Sequence, residues 1–166
     1  MKRESWNSEA TDERGRPESQ ITYFPPRTFR KVPDWQSETH FMMHCPHEIS
    51  VLLKELYICL QNDCPAASAM VVRALFERMM IEAVGDNGTF KNNLDRFQAG
   101  DFITRRQREV IEPVLEAGHA SIHRAFVPTR DDVVTLIEIL EGVLSVVYVH
   151  AHKAAALKKK IPARKP

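Results

Sequence analysis

Glycine is scarce in this chain, six residues in 166, and the six never cluster into the loop that cradles a phosphate. With no G-x-S-x-G elbow and no paired-carboxylate motif either, the commoner nucleotide-binding and hydrolase classes drop out. Cysteine is limited to Cys45, Cys59 and Cys64, an odd number with no C-x-x-C pair. That pattern suits a reducing compartment better than a disulfide framework, so a cytoplasmic location is expected. Charge of one sign is lacking too: 23 basic residues face 22 acidic ones, leaving a net charge of +1. No general field draws the chain to polyanions, and any contact with nucleic acid must be local. Long apolar runs are also missing. The longest, near Val143 to Val149, is too short to cross a bilayer, and the first residues lack the apolar core of a signal peptide.

What is present is helical periodicity. At 43% hydrophobic and 27% charged, the chain suffices for one buried core and requires no second domain. A first helix is predicted from Pro46 to Leu60, where Ile49, Leu52, Leu53, Leu56 and Leu60 share a face. The next begins at Pro65, ends at Val84 and closes on Gly85 in a left-handed cap. Its Val71, Val72, Leu75, Phe76, Met79, Met80 and Ala83 cover more than half the circumference, so it should be the central helix. On the remaining face, Arg73 with Glu77 and Arg78 with Glu82 are spaced to pair. Thr89 caps a short helix carrying Phe90, Leu94 and Phe97, which Gly100 ends.

Two further helices carry capping boxes, Thr104 with Gln107 and Thr129 with Asp132. The first turns Ile111, Val114, Leu115, Gly118 and Ile122 inward, and Pro113 within it should bend it. The second buries Val133, Leu136, Ile137, Leu140, Leu144, Val147, Tyr148 and Ala151, continuing to about Lys158. No alternating stretch rivals these elements, and the expected fold is all-α, a compact bundle of about five helices over 46–157.

The two ends differ from this body. Residues 1–20 are charged and nearly free of apolar side chains, and disorder is expected there. Over 21–45, prolines separate Tyr23, Phe24, Phe29, Val32 and Trp35, which predicts an extended arm laid on the helical body or on a protein partner. The basic tail of 158–166 collects Lys158, Lys159, Lys160, Arg164 and Lys165. Such a run can engage phosphates, but it has no interleaved aromatics on which bases could stack.

Candidate chemistry concentrates in Ile111 to Phe126. His119 and His123 lie one turn apart beside the apolar stripe, with Arg124 next to them. Imidazoles in this position can shuttle protons, and His123 can equally cap the helix end, where a cation is favoured. As metal ligands the pair is incomplete, because no H-E-x-x-H string accompanies it. His40, His44, Cys45 and His47 offer ligand atoms, but in a linker without zinc spacing. No metal and no cofactor is therefore expected.

Four strings carry a resemblance: A-A-S-A-M-V-V-R-A-L-F-E-R-M-M from Ala66, G-D-N-G-T-F-K-N-N-L-D from Gly85, V-L-E-A-G-H-A-S-I-H from Val114 and P-T-R-D-D-V from Pro128. Over roughly Pro46 to Tyr148 the chain resembles the domain-of-unknown-function family numbered 4145, of the HEPN-like class of helical domains. That family shows Gly-Asn, three residues, then His; here Gly118, His119 and His123 stand there, so the asparagine is replaced. The resemblance implies a homodimer and a bacterial defence or toxin-type setting. Catalytic HEPN ribonucleases carry Arg, four to six residues, then His. Before His123 the corresponding positions hold Ala117 and Gly118, and the motif is broken.

Two readings follow. One is a non-catalytic HEPN-like module for dimerisation or interaction, accessory to a defence system. The other is an RNA-binding protein or metal-independent ribonuclease using His123, His119 and Arg124, with Arg73, Arg78, Lys158, Lys159 and Lys160 as RNA contacts. The missing arginine favours the first, since fold alone carries no function.

Overall fold

A computed structural model describes residues 30–162 in full and, for the stretch before them, only the backbone of two strands. These strands, β1 (Lys2–Thr11) and β2 (Pro17–Tyr23), pair antiparallel, with Lys2 opposite Tyr23. The sequence predicts disorder over most of this stretch because it has little to bury. Backbone pairing needs no such burial, and a two-stranded hairpin alone is marginal in stability. Tyr23, Phe24 and Phe29 of the predicted arm, like Arg164 and Lys165 of the tail, lie outside the fully described residues.

From Asp34 onward the chain is helical, and the fold is all-α. The arm is not extended through residue 45 as expected: a 3-10 turn at Asp34–Ser37 leads into a short helix, α1 (Thr39–His44). The six residues of α1 are too few to display a period, so it left no signal. Phe41 anchors it in the core, with Trp35 edge-on at 4.9 Å.

The five predicted helices follow: α2 (His47–Gln61), α3 (Pro65–Val84), α4 (Phe90–Ala99), α5 (Arg105–His123) and α6 (Arg130–Ser145). Helix α3 is central, packed on α2, α4, α5 and α6. Its Val72, Leu75, Phe76, Met79 and Met80 meet Leu56 of α2, Phe97 of α4, Ile111 of α5 and Ile137, Leu140 and Leu144 of α6 in one core. Gly85 closes α3 at φ +75°, a conformation that glycine adopts without a Cβ penalty. Both capping boxes form with reciprocal bonds, Thr104 with Gln107 and Thr129 with Asp132.

Helix α6 does not stop at Ser145. A π turn at Val146–His150 carries it into α7 (Ala151–Lys158). The resulting rod, Arg130–Lys158, is long and apolar enough to cross a membrane, where the sequence reading took the apolar run as too short. Half of its most apolar window is buried inside the bundle, as the core helix of a globular domain would be.

Candidate functional site

Helix α5 presents the candidate site because it lies unusually close to α3. A Cβ on Gly118 would stand 2.6 Å from the Cβ of Arg73 and 2.8 Å from the carbonyl oxygen of Ala69. Only glycine permits that approach, which explains the residue in the V-L-E-A-G-H string. The close approach lets the Arg73 side chain cross to α5, where Nη1 donates to the carbonyl of Leu115 at 2.9 Å. The guanidinium also lies over the ring of Phe90, 4.1 Å from its centre. Arg73 therefore does not pair with Glu77 as its spacing predicted; α5 and α4 outcompete an exposed partner one turn away. Arg78 does pair with Glu82.

His119 and His123 project side by side from α5, their ring centres 4.5 Å apart. His119 is half-buried and His123 exposed. Arg124, the proposed neighbouring cation, forms an ion pair with Glu116 two turns back. Its hydrogen bond and charge hold the Glu116 carboxyl below the usual range, with smaller help from His119 and Arg73. Beside the histidines, Arg73, Phe90, Lys91, Arg108, Glu109, Glu112, Glu116 and His119 line an open groove of about 720 Å³ between α3, α4 and α5. Arg108 in it is committed to Asp95 at 2.6 Å and Glu112 at 2.8 Å, which raise its pKa.

The structure thus gathers Arg73, His119, His123 and Arg124, but not the other expected phosphate contacts. Arg78 lies away from this groove, near Glu82 and Glu48. Lys158, Lys159 and Lys160 end a rod that starts just after α5, about 40 Å along it at 1.5 Å per residue. Chemically, the imidazoles are placed to exchange protons, while each nearby guanidinium already has a protein partner and three carboxylates face the groove.

Ile122, predicted inward, is 49% exposed. On the last turn of α5 the covered position is the neighbouring Ser121, 5% exposed, so the inward face runs through Ser121 and leaves Ile122 at the surface. Phe126 and Val127 follow it at the surface, 39% and 65% exposed.

One cluster is unannounced by the sequence, and a second has other members than expected. Glu141 sits on the buried face of α6 and accepts from Tyr57 Oη at 2.6 Å and from Arg30; Arg30 also reaches Glu138 at 3.0 Å. Burial and the neighbouring carboxylate push the Tyr57 hydroxyl pKa up. A charged residue amid Leu140, Val143 and Leu144 was the available signal. The other cluster is His40 and His44, which belong to α1 rather than to a linker and are joined by His152 of α7 instead of by Cys45 or His47. Cys45 is buried, and among the described residues no group of three or more His, Cys, Asp or Glu could hold a metal ion.

A bundle centred on α3 with an inner α5 defines a helical domain, and residues 54–160 match the family described as Domain of unknown function (DUF4145). The chain belongs to that family. No curated protein and no solved structure matches it.

Proposed function

We propose that this protein is a non-catalytic HEPN-like interaction module that pairs with a second copy of itself through the end of α5. The carrying observation is the exposed set Ile122, Phe126 and Val127 beside His119 and His123. Three large apolar side chains exposed within six residues at the end of a packed helix favour a protein surface as partner. Catalysis is disfavoured by the commitment of cations: Arg124 to Glu116, and Arg73 to Leu115 and Phe90. A role accessory to a bacterial defence or toxin-type system rests on the HEPN resemblance. Cytoplasmic residence is supported by three unpaired thiols.

The competing reading, RNA binding or cleavage, draws on Arg73 and His119 sharing a groove. The carboxylates of that groove are paired, Glu109 with Arg105, Glu112 with Arg108 and Glu116 with Arg124, which leaves little net charge there to hold a phosphate backbone. Purified protein incubated with total RNA separates the readings. The proposal expects intact RNA with both the wild type and His123→Ala; cleavage by the wild type that the folded variant loses would replace it with the ribonuclease.

A further inference from the structure

Helix α1 packs on the 3-10 turn and the π turn and meets α7 through a pair of imidazoles, with a third stacked behind them. His40 stacks on His152 with ring centres 3.7 Å apart and planes 15° from parallel, and on its other side stacks His44 at 4.1 Å. His44 is held in place by a contact of its Nδ1 with the carbonyl of His40 at 2.9 Å. Uncharged rings stack comfortably at these distances; protonated ones repel. We propose that His40, His44 and His152 form a pH-sensitive latch that holds α1 on α7 at neutral pH and releases it in mild acid.

Several charged and titratable groups surround the latch: on the 3-10 turn Asp34 pairs with Lys31 at 2.7 Å, and the buried Cys45 thiol follows α1. Glu38 at the start of α1 pairs with Lys153 of α7 at 2.7 Å, which ties the same seam but leaves the carboxylate occupied. From the π turn, Tyr148 meets Phe41 edge-on at 6.4 Å, and His150 is exposed. Desolvation, then the charges of His152 and His44, hold the His40 imidazole below its ordinary 6.5, with Glu38 opposing them. The undocked helix therefore takes up the proton first, and docking weakens as pH falls through 6.5 toward the lower docked value.

Release has a structural consequence. Helix α1 and the residue after it bring Phe41, Met42 and Cys45 to one wall of a cavity of about 600 Å³, whose other wall includes Lys54, Tyr57 and Ile58 of α2. Lifting α1 opens that cavity and draws Phe41 and Cys45 out of the core they share with α2 and α3.

Hydrogen exchange of the full chain at pH 7.5 and 5.5, corrected for intrinsic rates, tests the latch. Protection of the 39–45 amides should fall about five- to tenfold relative to α3, the scale of one like-charge pair at this separation between water-exposed groups. A His40→Gln, His152→Gln double variant should hold its protection constant between the two pH values. Should the double variant fail to dock α1 at pH 7.5, His152→Gln alone, which leaves α1 unaltered, provides the same comparison. Constant protection in the wild type, or an equal fall in the variants, would overturn the latch. So would one-to-one zinc binding at pH 7.5 that His152→Gln abolishes, since that would make the cluster a metal site.

Discussion

Gly118 carries more of this structure than any other small side chain, because it sets the distance between α5 and the central helix. Alanine there would gain about 1 kcal/mol in helix propensity. Against that gain stand two contacts under 3 Å, one to a backbone oxygen and one to a Cβ, neither of which can swing away. Overpacking of this kind costs about 1–3 kcal/mol, and the shortness of both contacts places it at the upper end. Gly118→Ala is therefore expected to lower stability by about 1–2 kcal/mol, seen as an earlier urea midpoint at unchanged slope. A midpoint at or above that of the wild type would show that the helices yield freely. The inward placement of Gly118 was legible from its spacing with Ile111, Val114 and Leu115. Its partner was not, since nothing local announces that Arg73 will cross 42 positions to bond Leu115. Ile122 shows the complementary failure: on the last turn of α5 it is Ser121 that is covered, and which side of that turn meets a neighbour is a property of the packed bundle.

Among the elements, those with chemical end signals were legible almost to the residue. Thr104 with Gln107 and Thr129 with Asp132 each announced a helix, and each closes both of its bonds. Short or continuous elements were not. Helix α1 is a single turn and a half held by Phe41, and the π turn at Val146–His150 joins α6 to a helix with no buried residue, so that Ala151, predicted inward, is exposed. The cap at Thr129 has a measurable role, since α6 supplies Ile137, Leu140 and Leu144 to the core. Thr129→Ala removes the acceptor for the Asp132 amide and one donor to the Asp132 carboxylate, and should cost about 1 kcal/mol. The hydroxyl and amide of Thr129 hold the Asp132 carboxyl below its ordinary range. A depressed acid contributes stability above its unfolded value and loses it as pH falls through the folded one. The gap between wild type and Thr129→Ala should thus narrow as pH is lowered through the aspartate range. A gap that stays constant in thermal melts down that range would remove the carboxylate from the cap.

For the whole molecule, the open question is what covers the end of α5. Ile122, Phe126 and Val127 leave roughly half their surfaces in water. Burying the remainder on two copies related by a two-fold axis stabilises the pair by about 6 kcal/mol, at about 1 kcal/mol per half-exposed side chain. Association costs about 4 kcal/mol or more. These three side chains alone leave at most about 2 kcal/mol, a dissociation constant of tens of millimolar, so a dimer at micromolar concentration needs about 6 kcal/mol more from the surface around them and should dissociate on dilution. Lysine at position 122 would remove an apolar contact and set two like charges against each other across the axis. Ile122→Lys is therefore expected to be monomeric at concentrations where the wild type is dimeric in light scattering, with unchanged helix content because the site is outside the core. A wild type that stays monomeric up to several hundred micromolar would end the pairing reading, and an Ile122→Lys chain that still dimerises would move the interface elsewhere. The same variant separates pairing from the latch: α1 and α7 lie on other helices, so its loss of the dimer should leave the pH response of the 39–45 amides intact.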